Sequence, residues 1–247
     1  TAETPTLSDS ERETVVRFMV EKVKKRVPIV MGVGGNNTAA LRETLTSFDF
    51  SGISAILSVT PYYNKPSQEG LFRHYSVLSE ASPLPLILYN VPGRTGVNLS
   101  AETTLRVARA CQNVIGIKEA SGDIAQVKKI IDGKPDDFLV ISGDDAMTLP
   151  IIQNGGNGVI SVLANAFPKL FSELVEAALN GDKHFIQSHE KAFENTFKLL
   201  FKDGNPAGVK CYLSLMGMIE NELRLPLVPV CDETRNNIIS DLKTLTP

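Results

Sequence analysis

Apolar residues along this chain gather in short runs rich in valine, isoleucine and leucine, and the segments between them space their apolar positions as helices do. That alternation predicts βα units assembled on a parallel sheet. Six runs read as strands: Val27 to Val33, Ile53 to Val59, Leu86 to Val91, Val114 to Lys118, Phe138 to Ser142 and Gly158 to Val162. None alternates cleanly between apolar and polar, as expected of strands covered on both faces. Helix starts are readable between them. Ser8 with Glu11 forms a capping box ahead of RETVVRFMVEKV, and Ser100 likewise precedes AETTLRVARA.

After the sixth run only helical patterns remain: PKLFSELVEAALNG, a long segment from Lys183 to Lys202, PAGVKCYLSLMGM, and a last piece from Asp232 to Leu245. The predicted organisation is an α/β body over residues 1–167 with C-terminal helices over 168–247 packed on it. The chain opens on TAETPTLS, a loop leading into a capped helix that in an α/β domain should follow a strand. Six strands are also two short of a closed barrel. The expected fold is therefore a TIM (β/α)₈ barrel whose N-terminal strands lie outside this numbering, with a C-terminal helical extension. An open, doubly wound six-stranded sheet is the alternative.

Composition narrows the partners. The 247 residues are 43% hydrophobic and 21% charged, ordinary for a globular chain, and the net charge is −3 without a basic block. That balance argues against a sequence-independent hold on nucleic acid or an anionic membrane, so a small-molecule partner is expected. No apolar run approaches the roughly 18 residues of a membrane span, and the start lacks a signal-peptide pattern, which together predict a cytoplasmic protein. The three cysteines, Cys111, Cys211 and Cys231, are far apart, without C-x-x-C spacing, and read as reduced structural thiols. His184 and His189 are five apart, which does not put both on one helix face as a metal pair would need.

Several glycine-rich motifs invite chemistry and give a plainer reading. GVGGNN at 32–37 follows a strand and precedes a helix, but a dinucleotide fingerprint needs glycine where this chain has Asn37. NGGNG at 154–158 precedes its strand and reads as an αβ turn. In SGDDA, at 142–146, Asp144 or Asp145 is placed either for catalysis or to cap the next helix.

Three strand ends hold polar groups together, where barrel active sites lie. One strand ends in YNVPGRTG, with Tyr89 at its end and Arg94 in the loop beyond; another ends in TPYYNKPS, with Tyr62 and Tyr63 adjacent. A third ends on Lys118, directly before Glu119. Either Lys118 is a solvated strand-end residue, or it is a desolvated amine available as a nucleophile. Tyr62 and Tyr63 are likewise either loop packing or part of a site. The combination favours Schiff-base chemistry. A neutral amine attacks a keto carbon, the iminium acts as an electron sink, Tyr89 moves protons, and Arg94 offers a fork to a carboxylate.

TAETPTLS, VTPYYNKPSQEGL, YNVPGRTG, GIKEASGD, SGDDA and GVISVLAN together resemble the dihydrodipicolinate synthase branch of the pyruvate-dependent lyases, over essentially the whole chain. The resemblance implies a (β/α)₈ barrel that condenses pyruvate with L-aspartate 4-semialdehyde, with no cofactor beyond the imine on the lysine. It implies that Lys118 forms the Schiff base, that Tyr89 transfers protons, and that Thr1 joins a relay with a Tyr63 donated by a neighbouring subunit. Arg94 would receive the semialdehyde carboxylate, and Ile160 would bring its backbone carbonyl close to the lysine. A homotetramer built as a dimer of dimers follows from the same resemblance. N-acetylneuraminate lyase and keto-deoxy sugar acid aldolases share the lysine and tyrosine, but GRTG favours the synthase; a catalytically silent relative is the reading from another class. Lysine-sensitive members resemble one another in a regulatory site where this chain keeps Asn36 and Tyr62 but has Arg12 and Ala40, which implies weak or absent feedback inhibition by lysine.

Overall fold

The computed structural model describes residues 1–245. They form two compact units, one of residues 13–160 and the other of residues 1–12 with 161–245. The helix α1 (Asp9–Val23) opens the α/β region. There follow β1 (Val30–Gly32), α2 (Thr38–Ser47), β2 (Ala55–Val59), α3 (Gln68–Ala81), β3 (Leu86–Asn90), the one-turn α4 (Pro92–Thr95) and α5 (Ala101–Ala110). Next come β4 (Val114–Glu119), α6 (Ile124–Gly133), β5 (Leu139–Ser142), α7 (Thr148–Gln153) and β6 (Gly158–Val159).

All six strands join one sheet in the order β1-β2-β3-β4-β5-β6, and every neighbouring pair is parallel. An order that never reverses winds in one direction, as a TIM-type sheet does. A doubly wound sheet would need a switch point, so that alternative falls.

The register sorts side chains by face. Leu88 pairs with Ile117 and Ile117 with Val140, and all three are fully buried in a core that Leu71, Tyr75, Val107 and Ile130 complete from the helices. The opposite pleat puts Val59, Tyr89, Lys118, Ile141 and Gly158 on one rung. Tyr75 Oη donates to the Ser58 carbonyl at 3.1 Å, which ties α3 to β2.

The first and last predicted strands are the ones the structure shortens most. The run Val27–Val33 yields only Val30–Gly32, because Lys24 and Lys25 turn at positive φ and Pro28 has no N–H to give a ladder. The run Gly158–Val162 yields Gly158–Val159, although the Ile160 N–H still donates to the Ser142 carbonyl at 2.9 Å; at Val162 the backbone has turned helical.

Capping agrees with the sequence. The Ser8 N–H donates to Glu11 Oε2 at 2.9 Å, Glu11 N–H returns to Ser8 Oγ at 3.3 Å, and Ser100 Oγ accepts from Thr103 N–H at 3.2 Å. NGGNG is the expected turn, with Gly155 at positive φ and the Gly156 N–H donating back to the Ile151 carbonyl at 2.9 Å.

The C-terminal helices are α8 (Pro168–Leu179), α9 (Lys183–His189), α10 (Glu194–Phe201), α11 (Ala207–Leu215) and α12 (Asp232–Leu245). The single segment expected from Lys183 to Lys202 is broken after His189 by a 3₁₀ turn, Glu190–Phe193. Ser188 Oγ donates to the His184 and Phe185 carbonyls, and His189 Nδ1 lies 3.0 Å from the Phe185 carbonyl, so side chains occupy the acceptors of the last turn. Asp241 clasps three helices: it accepts from Asn195 Nδ2 at 2.6 Å and Thr196 Oγ1 at 2.7 Å on α10, and from Tyr212 Oη at 2.6 Å on α11.

Gly116 lets β4 and β5 approach. A Cβ there would meet the Leu139 carbonyl oxygen at 2.7 Å and Leu139 Cβ at 2.8 Å, both on a strand that cannot yield. Gly116→Ala is expected to destabilise the protein by about 1–3 kcal/mol, read as a lower urea midpoint at unchanged slope.

Candidate active site

The strand pleat answers the question that two adjacent charges pose at the end of β4. Lys118 and Glu119 leave the strand on opposite faces. Glu119 turns toward the helices and is 1% exposed, whereas Lys118 shares its rung with Tyr89 and Ile141. Its Nζ lies 4.4 Å from the centre of the Tyr89 ring, within cation–π reach.

Burial drives the Lys118 pKa down from the usual lysine value to about 8; nearby Asp145 opposes the shift and Arg94 adds to it. At neutral pH roughly a tenth of such amines are uncharged, several hundredfold more than for a free lysine. The Tyr89 phenol is pushed up by burial, with the Arg94 guanidinium pulling the other way, so it is protonated and able to donate. The solvated strand-end reading of Lys118 is therefore replaced by that of a desolvated amine.

Arg94 is exposed and lies in the last turn of α4, which ends on Gly96 at φ 73°. Its charge reaches both Lys118 and Tyr89. Tyr63 is 89% exposed and sits at φ 71°, unusual for a large side chain. Its loop is pinned: Asn36 Nδ2 donates to the Tyr62 carbonyl at 3.1 Å, and Asn64 Nδ2 donates to the Asn36 carbonyl at 2.9 Å. Ile160 continues the β5–β6 ladder at the same end of the sheet. Thr1 belongs to the other unit, where its hydroxyl accepts from Asn205 Nδ2 at 3.0 Å. In one unit, then, Lys118, Tyr89 and Arg94 come together.

The remaining motifs take structural roles. Asn37 caps α2, its Oδ1 accepting from Ala39 N–H at 3.1 Å and Ala40 N–H at 3.3 Å, so GVGGNN leads into an ordinary cap. Asp144 caps in the same way through Ala146 N–H at 2.9 Å. Its neighbour Asp145 is 3% exposed and bears electrostatically on Lys118.

Gly143 is a residue that motif reading passed over. A Cβ there would meet Ala120 Cβ at 2.7 Å, Lys118 Cε at 3.0 Å and Lys118 Cγ at 3.1 Å, so the absent side chain is the room in which the lysine stem lies. The strand phase carries the signal: if Lys118 and Ile141 share a rung, Gly143 faces the same way. Among the described residues no group of three or more His, Cys, Asp or Glu could hold a metal ion, and no helix is long and apolar enough to cross a membrane.

The chain belongs to the dihydrodipicolinate synthetase family, whose model it matches over residues 1–245. The 4-hydroxy-tetrahydrodipicolinate synthase of Parabacteroides distasonis is 54% identical over 246 residues, which cover 100% of this chain and 83% of the relative. The crystal structure of dihydrodipicolinate synthase from Thermotoga maritima matches with a TM-score of 0.94 at 42% identity, covering 98% of this chain and 83% of that one. The chloride-inhibited enzyme from Acinetobacter baumannii complexed with pyruvate matches with a TM-score of 0.94 at 41% identity, again over 98% and 83%.

The charges around Lys118 predict its titration. Competitive labelling with acetic anhydride should give a midpoint near 8 for this lysine. Asp145→Asn removes a charge that favours the ammonium, so the midpoint should move to lower pH; Arg94→Ala removes one that disfavours it and should move the midpoint up. A Lys118 that labels like surface lysines would contradict the buried-amine reading.

Proposed function

We propose that this chain condenses pyruvate with L-aspartate 4-semialdehyde to give 4-hydroxy-tetrahydrodipicolinate, a step of lysine and diaminopimelate biosynthesis, through an imine on Lys118. The observation that carries the reading is the Lys118 amine, desolvated at a strand end and 4.4 Å from the Tyr89 ring. Relatives 50–54% identical and named 4-hydroxy-tetrahydrodipicolinate synthase support the same reaction. The six sequentially ordered parallel strands fit part of a (β/α)₈ barrel, with the site at the C-terminal strand ends.

The neutral fraction of Lys118 attacks the pyruvate keto carbon, and the carbinolamine loses water to form the imine. Tyr89 gives the proton that the departing hydroxyl needs and later takes one back. With the iminium as electron sink, the pyruvate methyl carbon gives up a proton and the enamine adds to the aldehyde carbon of the second substrate. The amino group of that substrate then displaces Lys118 from the imine carbon, closing the ring and regenerating the amine. This sequence needs no cofactor beyond the lysine.

Arg94 receives the semialdehyde carboxylate as a bidentate fork. Ile160 lends its backbone carbonyl beside the lysine. Thr1 and a neighbour's Tyr63 extend the proton relay. The Tyr63 side chain, held outward on a pinned loop, fits donation to a second copy in a homotetramer built as a dimer of dimers. Three free cysteines fit the reducing cytoplasm as the setting.

Borohydride reduction in the presence of pyruvate should add the pyruvyl mass at Lys118 alone, and trapping that persists in Lys118→Ala would sink the mechanism. Arg94→Ala should keep that trapping while losing about tenfold to a hundredfold in kcat/KM for the semialdehyde. Sugar-acid cleavage outrunning condensation would move the assignment to an aldolase. Specific activity should fall on dilution as subunits separate, and a monomer that sediments as such at full activity would remove Tyr63 from the relay.

A further inference from the structure

The loop from Val91 to Leu99 carries Arg94, and side chains close it at its base. Asn90, the last residue of β3, leaves the strand on the face opposite Tyr89. Its Oδ1 accepts from the Leu99 N–H at 2.9 Å, and its Nδ2 donates to Asn98 Oδ1 at 2.7 Å. Asn98 Nδ2 donates to Gln126 Oε1 on α6 at 2.8 Å, and Gln126 Nε2 returns to Asn98 Oδ1 at 3.2 Å. Both ends of the loop are thus tied to one β4–α6 neighbourhood.

Everything in that clasp converges on Glu119. Its carboxyl oxygens accept from Asn90 Nδ2 at 3.2 and 3.1 Å, from Gln126 Nε2 at 3.1 Å and from the Ser121 N–H at 2.7 Å. From outside, Gln68 on α3 donates to the Asn98 carbonyl at 2.7 Å and accepts from the Ser100 N–H at 3.1 Å. A carboxylate can take donors on both oxygens; an amide of the same shape would turn an NH₂ toward groups that can only donate.

We propose that Glu119 is a positioning residue for recognition of the second substrate: through Asn90, Asn98 and Gln126 it holds the Val91–Leu99 loop, and with it the Arg94 guanidinium, in place relative to the Lys118 amine. Glu119 and Lys118 are neighbours in sequence, so one strand end carries the nucleophile on one face and the anchor of the substrate fork on the other. The proposal deepens the reading above and rests on its assignment of Arg94.

The test separates the two substrates. In Glu119→Gln and in Asn98→Ala, the KM for L-aspartate 4-semialdehyde should rise about tenfold to a hundredfold, while borohydride trapping of pyruvate on Lys118 stays within about twofold. A loss of folded protein alone would lower trapping and turnover together and leave that KM where it was, which would overturn the proposal. Asn98 is exposed, so its variant carries the test if the buried substitution fails to fold. In an Arg94→Ala background neither change should raise the KM further, because the group they position is gone. A rise that persists there overturns the proposal. Arg94→Ala raising the KM while both clasp variants leave it unmoved sinks the clasp alone. If Arg94→Ala itself leaves the KM unmoved, the fork assignment and the clasp fall together.

Discussion

The pleat of β4 is the constraint on which the site depends. Side chains alternate faces along a strand, so a strand that ends in lysine and glutamate must send them to opposite sides. The two charges are then solved by different physics. Glu119 is buried among donors that satisfy its oxygens, as a buried polar group requires. Lys118 meets a ring face and charges of both signs, and burial makes its neutral form accessible. A pair that simply neutralised itself would have left an ammonium with no lone pair to offer.

That difference explains how the surroundings are built. Gly143 leaves room for the lysine stem, Tyr89 sits on the same rung, and Asp145 and Arg94 act on the amine with opposite signs. Asp145 limits how far desolvation lowers the pKa, while Arg94 deepens the fall. The result lies close to neutral pH, where an amine is both sufficiently free and sufficiently basic to serve as nucleophile. Moving either charge shifts the balance without touching the lysine.

The sequence made most of this architecture readable, for reasons that particular residues display. Apolar runs marked all six strands, and the cap residues Ser8 and Ser100 marked helix starts, because both signals are local. Strand ends were less legible, since the limits of β1 depend on turns at Lys24 and Lys25 and on the missing donor of Pro28. The break after His189 came from side chains folding back on their own helix, which periodicity does not register. Lys118, Tyr89 and Arg94 were visible as polar groups at strand ends. Asp145 was ambiguous because its neighbour Asp144 makes the expected cap. The clasp was invisible because Gln68, Asn98 and Gln126 come from separate elements and resemble any exposed amides.

Rigid support and reactive group are therefore adjacent in sequence but separated in space by the thickness of the sheet. The site face needs an under-solvated amine, which costs free energy and holds only if the backbone beneath cannot relax to let water in. The ladders of β4 with β3 and β5 supply that resistance, and on the helix face a fully bonded carboxyl at Glu119 ties β4 to β3 through Asn90 and to α6 through Gln126. Loosening it would release the loop with Arg94, while the ladders to β3 and β5 still hold the end of β4 that bears Lys118.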